Sequence, residues 1–131
     1  MMFEFFEPIS ENKAGSFSPV TLAFVGDAVY SLYVRHKLTL AADYPAATLQ
    51  KLSCAQVSAH GQNDLLHRIE PLFTEEEAAI FKRGRNAKKP SHSKNADLAE
   101  YNNSTGLEAV IGWLYLTGQN DRLLELLGEN K

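Results

Sequence analysis

Two acids sit where solubility does not call for them. Asp27 lies in residues 22–35, LAFVGDAVYSLYVR, and Glu108 in residues 104–118, STGLEAVIGWLYLTG. Both stretches read as helices that are apolar nearly all round, and a helix apolar on every face is expected to be buried on every face. A carboxylate there is costly unless it is paired, protonated or bound to a cation. Each acid also stands near a glycine, Gly26 directly before Asp27 and Gly112 one turn after Glu108. Glycine inside a helix costs about 1 kcal/mol relative to alanine, and close approach by another helix is the usual compensation. If the two helices cross at their glycines, the acids meet. Two carboxylates in a cleft suit a hard divalent cation. The plainer alternative is that each acid is satisfied by a Lys, an Arg or a backbone donor.

The third candidate is a charge run. Residues 82–94, KRGRNAKKPSHSK, hold Lys82, Arg83, Arg85, Lys88, Lys89 and Lys94, six of the 13 basic residues, and no acid. Pro90 and the serines predict a loop after a helix that Gly84 ends. Such a run is most often solvated surface. Here it is one-signed on a chain of net charge −3. An acidic globule repels a phosphate polymer, so any nucleic-acid site must be a local basic patch. Gly84 would then let the backbone approach a duplex closely.

These residues need a scaffold. Ser18 as N-cap and Pro19 in the first turn open the Asp27 helix. After a turn at 41–45, a helix is predicted over 46–60, ended by Gly61. A short one follows, capped by Asn63 and stopped by Pro71. Thr74 and Glu77 form a capping box before the next. A short helix near 95–101 leads into the Glu108 helix, and Asn120 caps a last one, stopped by Gly128. Residues 1–17 read as an irregular arm, with 11–16 a loop, and 18–131 as one domain. With no useful strand pattern, the fold class is all-α, about seven helices. His60 and His67, seven apart, would make a metal pair only if Gly61 did not break their register.

Hydrophobic content of 44% over 131 residues is ordinary for a single globular domain. The lone Cys54 excludes an internal disulfide and fits a reducing, cytoplasmic setting. No apolar run reaches membrane-spanning length, and the acidic opening MMFEFFEPI is too short for a signal peptide.

LAFVGDAVYSLYVR resembles the signature helix of the ribonuclease III catalytic domain. LEAVIGWLYL resembles its second acidic helix, and KRGRNAK is similar to the corresponding stretch of the Mini-III subfamily, which consists of the catalytic domain alone. The resemblance covers roughly residues 19–127. It implies a homodimeric, metal-dependent endoribonuclease that hydrolyses double-stranded RNA, with Mg²⁺ or Mn²⁺ as cofactor and 5′-phosphate products. The implied substrate is the large-subunit (23S) ribosomal RNA precursor. Asp27 and Glu108 match two of the family's metal ligands. Arg83, Arg85, Asn86, Lys88, Lys89 and Lys94 become the expected RNA grip. Phe24 matches an aromatic that inserts into the partner subunit, and it is expected on a different side of the helix from Asp27.

The sequence also departs from the longer enzymes. Where their signature has glutamates four and seven residues before the aspartate, this chain has Ala23 and Val20. Where they have an aspartate before the second glutamate, it has Thr105. Fewer acids hold less cation charge. Two other readings compete: a catalytically inactive ribonuclease III-like domain that binds structured RNA or ribosomal partners, and an unrelated helical interaction module. Two acids in apolar helices argue against a pure binder, which has no need of them.

Overall fold

The computed structural model describes residues 5–88 and 97–128. Among them are seven α-helices and no strand: α1 (Glu11–Gly15), α2 (Pro19–Ala41), α3 (Ala46–Val57), α4 (Ala59–Ile69), α5 (Glu75–Asn86), α6 (Leu98–Leu116) and α7 (Asn120–Leu126), with a 3₁₀ turn at Glu70–Leu72 between α4 and α5.

The centre of the molecule is α6. From Ser104 to Leu114 every residue is buried except Glu108. Its near-absence of amphipathicity follows from being packed on all sides, by α2, α4 and α5. The helix expected near 95–101 and the one expected from 104 are a single element. Asp97 caps it, accepting from the backbone of Glu100. The polar residues that suggest a break are absorbed within it: the Ser104 and Thr105 hydroxyls donate back to the Tyr101 carbonyl at 2.8 and 3.2 Å.

The Asp27 helix, α2, is apolar for a different reason. One face packs on α6 through Leu22, Ala23, Gly26, Tyr30 and Val34. The rest of the helix is open: Phe24 is 80% and Leu32 61% exposed, Ala28 is exposed with them, and Asp27 is exposed at the border between this side and the face on α6. Burial on every face therefore fails for α2. Phe24 and Asp27, three apart, share the open side rather than opposing one another.

Two other boundaries differ from expectation. Ser58, not Gly61, separates α3 from α4, and its hydroxyl accepts from the Gly61 backbone. Gly61 lies inside α4 because its missing side chain admits the α3 end: a Cβ there would meet the Ala55 carbonyl oxygen at 2.1 Å. His60 and His67 therefore do share one helix, yet they are not brought together. His60 Nδ1 bonds Glu100 at 2.9 Å, and His67 faces Asn63. The expected loop at 11–16 holds α1, capped by Ser10. The backbone N–H of Ile9 donates to the Leu116 carbonyl, pinning the arm to the end of α6.

The capping box at Thr74 and Glu77 is present. Glu77 is buried and also receives Arg122 from α7, at 2.9 and 2.8 Å, while Arg122 reaches the Leu72 carbonyl. Burial alone would raise the Glu77 carboxyl. The Arg122 guanidinium and the Thr74 backbone outweigh it and hold the group below its usual range.

Candidate functional site

The two acidic helices cross at their glycines. A Cβ on Gly26 would lie 1.8 Å from the Glu108 carbonyl oxygen, and one on Gly112 would lie 2.0 Å from the Leu22 carbonyl oxygen. Backbone is against backbone, which only glycine permits. Asp27 follows Gly26 on the open side of α2, and Glu108 is the residue of α6 that reaches up to meet it.

Glu108 is half-buried. Burial pushes its carboxyl up to about 8, and the Asp27 charge and a hydrogen bond shared with Asp27 push the same way, against the hydrogen bond from Gln62. The two carboxyls therefore lie within hydrogen-bonding reach of each other, and among the described residues neither is in a salt bridge with a Lys or Arg. The expectation that both would be buried holds for neither fully, since Asp27 is exposed. No third His, Cys, Asp or Glu joins them in a metal-binding group among the described residues. At the positions where the longer signature carries further acids, Ala23 and Thr105 are buried, and the Thr105 hydroxyl is committed to Tyr101.

The raised carboxyl has a consequence for stability. Between about pH 4.5 and about pH 8 the cation-free folded protein holds a proton on Glu108 that the unfolded chain has released. Glu108's contribution is therefore complete below that window and lost as pH rises through it. In EDTA, melting temperature is expected to fall from pH 5 to pH 8, with this group accounting for roughly 1–3 kcal/mol after allowance for its partial contact with water. Glu108→Gln is expected to remove that part of the slope. Parallel pH profiles for wild type and variant would contradict it.

Sequence reasoning misses Gln62. It is 2% exposed, and its Nε2 donates to Glu108 Oε2 and to the Val57 carbonyl, both at 3.0 Å. The signal is an amide three, four and seven residues before Leu65, Leu66 and Ile69, hence on the apolar stripe of α4. Placing a helix end at Gly61 hides that register.

The basic residues are dispersed. α5 runs on to Asn86, so Arg83 and Arg85 stand in its last turn rather than in a loop. Arg83 turns back: its two terminal nitrogens donate to the Gly15 and Phe17 carbonyls at 3.3 Å each, joining α5 to the end of α1 and the segment that leads into α2. Arg85 lies over the Phe81 ring, 5.6 Å from its centroid, and its Nε donates to Asn86 Oδ1. Asn86 and Lys88 are exposed. Lys89 and Lys94 lie outside the described residues. Gly84 serves packing rather than access to a duplex: a Cβ there would meet Gly106 Cα at 2.9 Å, at the crossing of α5 and α6.

The ribonuclease III domain model matches residues 20–119 of the chain. The chain belongs to the ribonuclease III family. Within it, the Mini-ribonuclease 3 of Thermoanaerobacter sp. (strain X514) is 43% identical over 92% of this chain and 85% of its own length. That of Staphylococcus aureus (strain NCTC 8325 / PS 47) is 40% identical over 91% and 90%. A crystal structure of a Fusobacterium nucleatum protein superposes with a TM-score of 0.78 at 33% identity, covering 86% of this chain and 90% of that one. This ribonuclease III family member is accordingly an endoribonuclease of the Mini-III kind. Among its described residues no helix is long and apolar enough to cross a membrane.

Proposed function

We propose that this endoribonuclease is metal-dependent and hydrolyses double-stranded RNA as a cytoplasmic homodimer, with the large-subunit (23S) ribosomal RNA precursor as its substrate. The observation that carries the reading is the contact of Asp27 and Glu108 across the Gly26–Gly112 crossing. Two carboxylates that neither Lys nor Arg pairs among the described residues fit a hard divalent cation, because such a cation takes oxygen donors and offsets the burial and the Asp27 charge that keep a proton on Glu108. Asp27 and Glu108 would hold Mg²⁺, or Mn²⁺ in its place. Bound there, the cation supplies a water of lowered pKa and neutralises charge on the phosphate oxygens. Asp27, on the open side, orients that chemistry toward a docked strand, and Glu108 anchors it from within the core. Water adds across the P–O3′ bond, leaving a 5′-phosphate on one fragment and a 3′-hydroxyl on the other. The direct test is incubation of the purified protein with long duplex RNA in Mg²⁺ and in EDTA. Cutting in Mg²⁺ alone is expected. Binding without cutting would overturn the reading in favour of an inactive RNA-binding domain.

The open face of α2 supports the dimer. Phe24, Ala28 and Leu32 follow one another at four-residue spacing, an apolar stripe that a second copy would cover by two-fold symmetry. Phe24→Ala is expected to raise the dimer dissociation constant by at least roughly tenfold, a loss of about 1.4 kcal/mol or more. Sedimentation across a dilution series reads it out, and an unchanged profile would remove Phe24 from the interface.

For the RNA grip, Arg85, Asn86, Lys88, Lys89 and Lys94 remain the proposed contacts, and Arg83 contributes by holding α5 to the α1–α2 junction. Phosphate contacts carry no base identity, and each releases condensed counterions. Arg85→Ala, and Lys88→Ala with Lys89→Ala, are each expected to weaken duplex binding in Mg²⁺-free buffer, about equally for unrelated sequences. Removing one phosphate-bound cation should flatten the log–log salt dependence by roughly one unit. Lys13→Ala is the control. Wild-type affinity and slope in the variants would locate the grip elsewhere.

A further inference from the structure

Gln62 is a buried amide with an unusual set of partners. Val57 is the last residue of α3, so its carbonyl is among those a helix leaves without an internal partner. Gln62 Nε2 satisfies that carbonyl with one hydrogen and Glu108 Oε2 with the other. The two acceptors fix the amide's orientation, because the flipped form would set its oxygen against two oxygens. The result leaves Gln62 Oε1 buried with no partner among the described residues. An unsatisfied buried carbonyl costs roughly 1–3 kcal/mol, and a position selected for packing alone would hold Leu or Met beside Leu65 and Leu66. The residue is therefore better explained by what its N–H groups hold than by its own satisfaction. What they hold is one oxygen of Glu108, referenced to a fixed point of the backbone at the α3–α4 junction.

We propose that Gln62 is a positioning residue for cation binding: anchored on the Val57 carbonyl, it fixes the Glu108 carboxylate in the orientation that, with Asp27, receives a hard divalent cation. The proposal rests on the metal-dependent reading above. A carboxylate free to rotate about its terminal torsion presents its oxygens in many directions. One hydrogen-bonded at a defined oxygen presents the other to the cleft. Groups that orient a ligand in this way change metal affinity by about 10- to 100-fold when removed. The arrangement also joins three helices at the site, since α3 supplies the anchor, α4 the amide and α6 the acid.

The test is Mn²⁺ titration of the full chain by calorimetry, for wild type, Gln62→Met and Gln62→Asn, with Asp27→Asn as the reference without a ligand pair. Methionine keeps the volume without the donors, and asparagine keeps the donors but is too short to reach both acceptors. Both variants are expected to bind Mn²⁺ at least about tenfold more weakly. Duplex affinity in EDTA should stay unchanged, and the cleavage rate should recover at high Mn²⁺. A merely structural glutamine would lower stability and duplex binding without this selective, cation-reversible defect. Wild-type Mn²⁺ affinity in both variants, with Asp27→Asn showing none, would overturn the role of Gln62 and leave the metal reading intact. Absence of Mn²⁺ binding in the wild type itself would overturn both. If neither variant folds, the side-chain amide signal of Gln62 in ¹⁵N-labelled wild type decides. It should shift in step with Mg²⁺ saturation, and an unmoved signal at saturation rejects the proposal.

Discussion

Asp27→Asn and Glu108→Gln are each expected to lower duplex cleavage by at least roughly a thousandfold while leaving a folded protein that binds RNA in EDTA. The amides keep the size of the acids and lose the charge. Lewis-acid stabilisation of phosphoryl oxygens amounts to several kcal/mol, and each 1.36 kcal/mol is a factor of ten in rate. The two variants differ in a second respect. Asp27 is exposed and its charge is a lesser cause of the raised Glu108 carboxyl than burial, so its replacement should move the melting temperature less than Glu108→Gln does. Glu108 is half-buried with a raised carboxyl, so Glu108→Gln should melt higher than wild type in EDTA at pH 8. Single-turnover cleavage and thermal melts on the same preparations read both. Near wild-type turnover in either variant would remove that acid from the site.

Gly26→Ala is expected to be the most destabilising single methyl in the chain. The added carbon would sit 1.8 Å from the Glu108 carbonyl oxygen, 2.7 Å from its carbon and 2.9 Å from the Gly112 nitrogen, all of them backbone. Alanine in a helix interior is favoured over glycine by roughly 0.5–1 kcal/mol, but overpacking against a backbone that cannot rotate away outweighs this. A net loss of about 3 kcal/mol or more is expected. Gly112→Ala meets the same obstacle from the other side. Gly15→Ala, with nothing within 4 Å of the new carbon, should be neutral or slightly stabilising. Urea unfolding of the three variants measures the contrast. Gly26→Ala as stable as wild type would mean that the helices do not touch there.

Much of this geometry is legible in the residues. The pairing of an acid with a glycine on each apolar helix admits a crossing and equally admits acids satisfied by separate donors, and the backbone-to-backbone approach at Gly26 and Gly112 decides for the crossing. The capping box at Thr74 and the stops at Gly118 and Gly128 are local signals, and local signals survive folding: both glycines have positive φ, 74° and 87°. The misplacements share one cause. Gly61 and Gly84 read as helix ends because isolated glycine ends helices, whereas here each admits a neighbouring backbone. Close approach is a property of two elements, and one stretch of sequence records only its own half. Arg83 is the same case. Its charge places it with the phosphate-binding residues, but its partners are carbonyls of a segment more than sixty residues earlier. The open face of α2 is hidden for the opposite reason, since apolar residues on an exposed face look, in the sequence, like residues meant for the core.

The crossing of α2 with α6 bears on when the enzyme comes into being. A ribosome releases α2 well before α6, and domains settle as units once their sequence has emerged. Until α6 arrives, Gly26 has no partner and Asp27 stands alone on an unsupported helix. A nascent chain therefore holds Asp27 without Glu108 until α6 has been made. On the function proposed above, the site is competent only once α6 has joined α2.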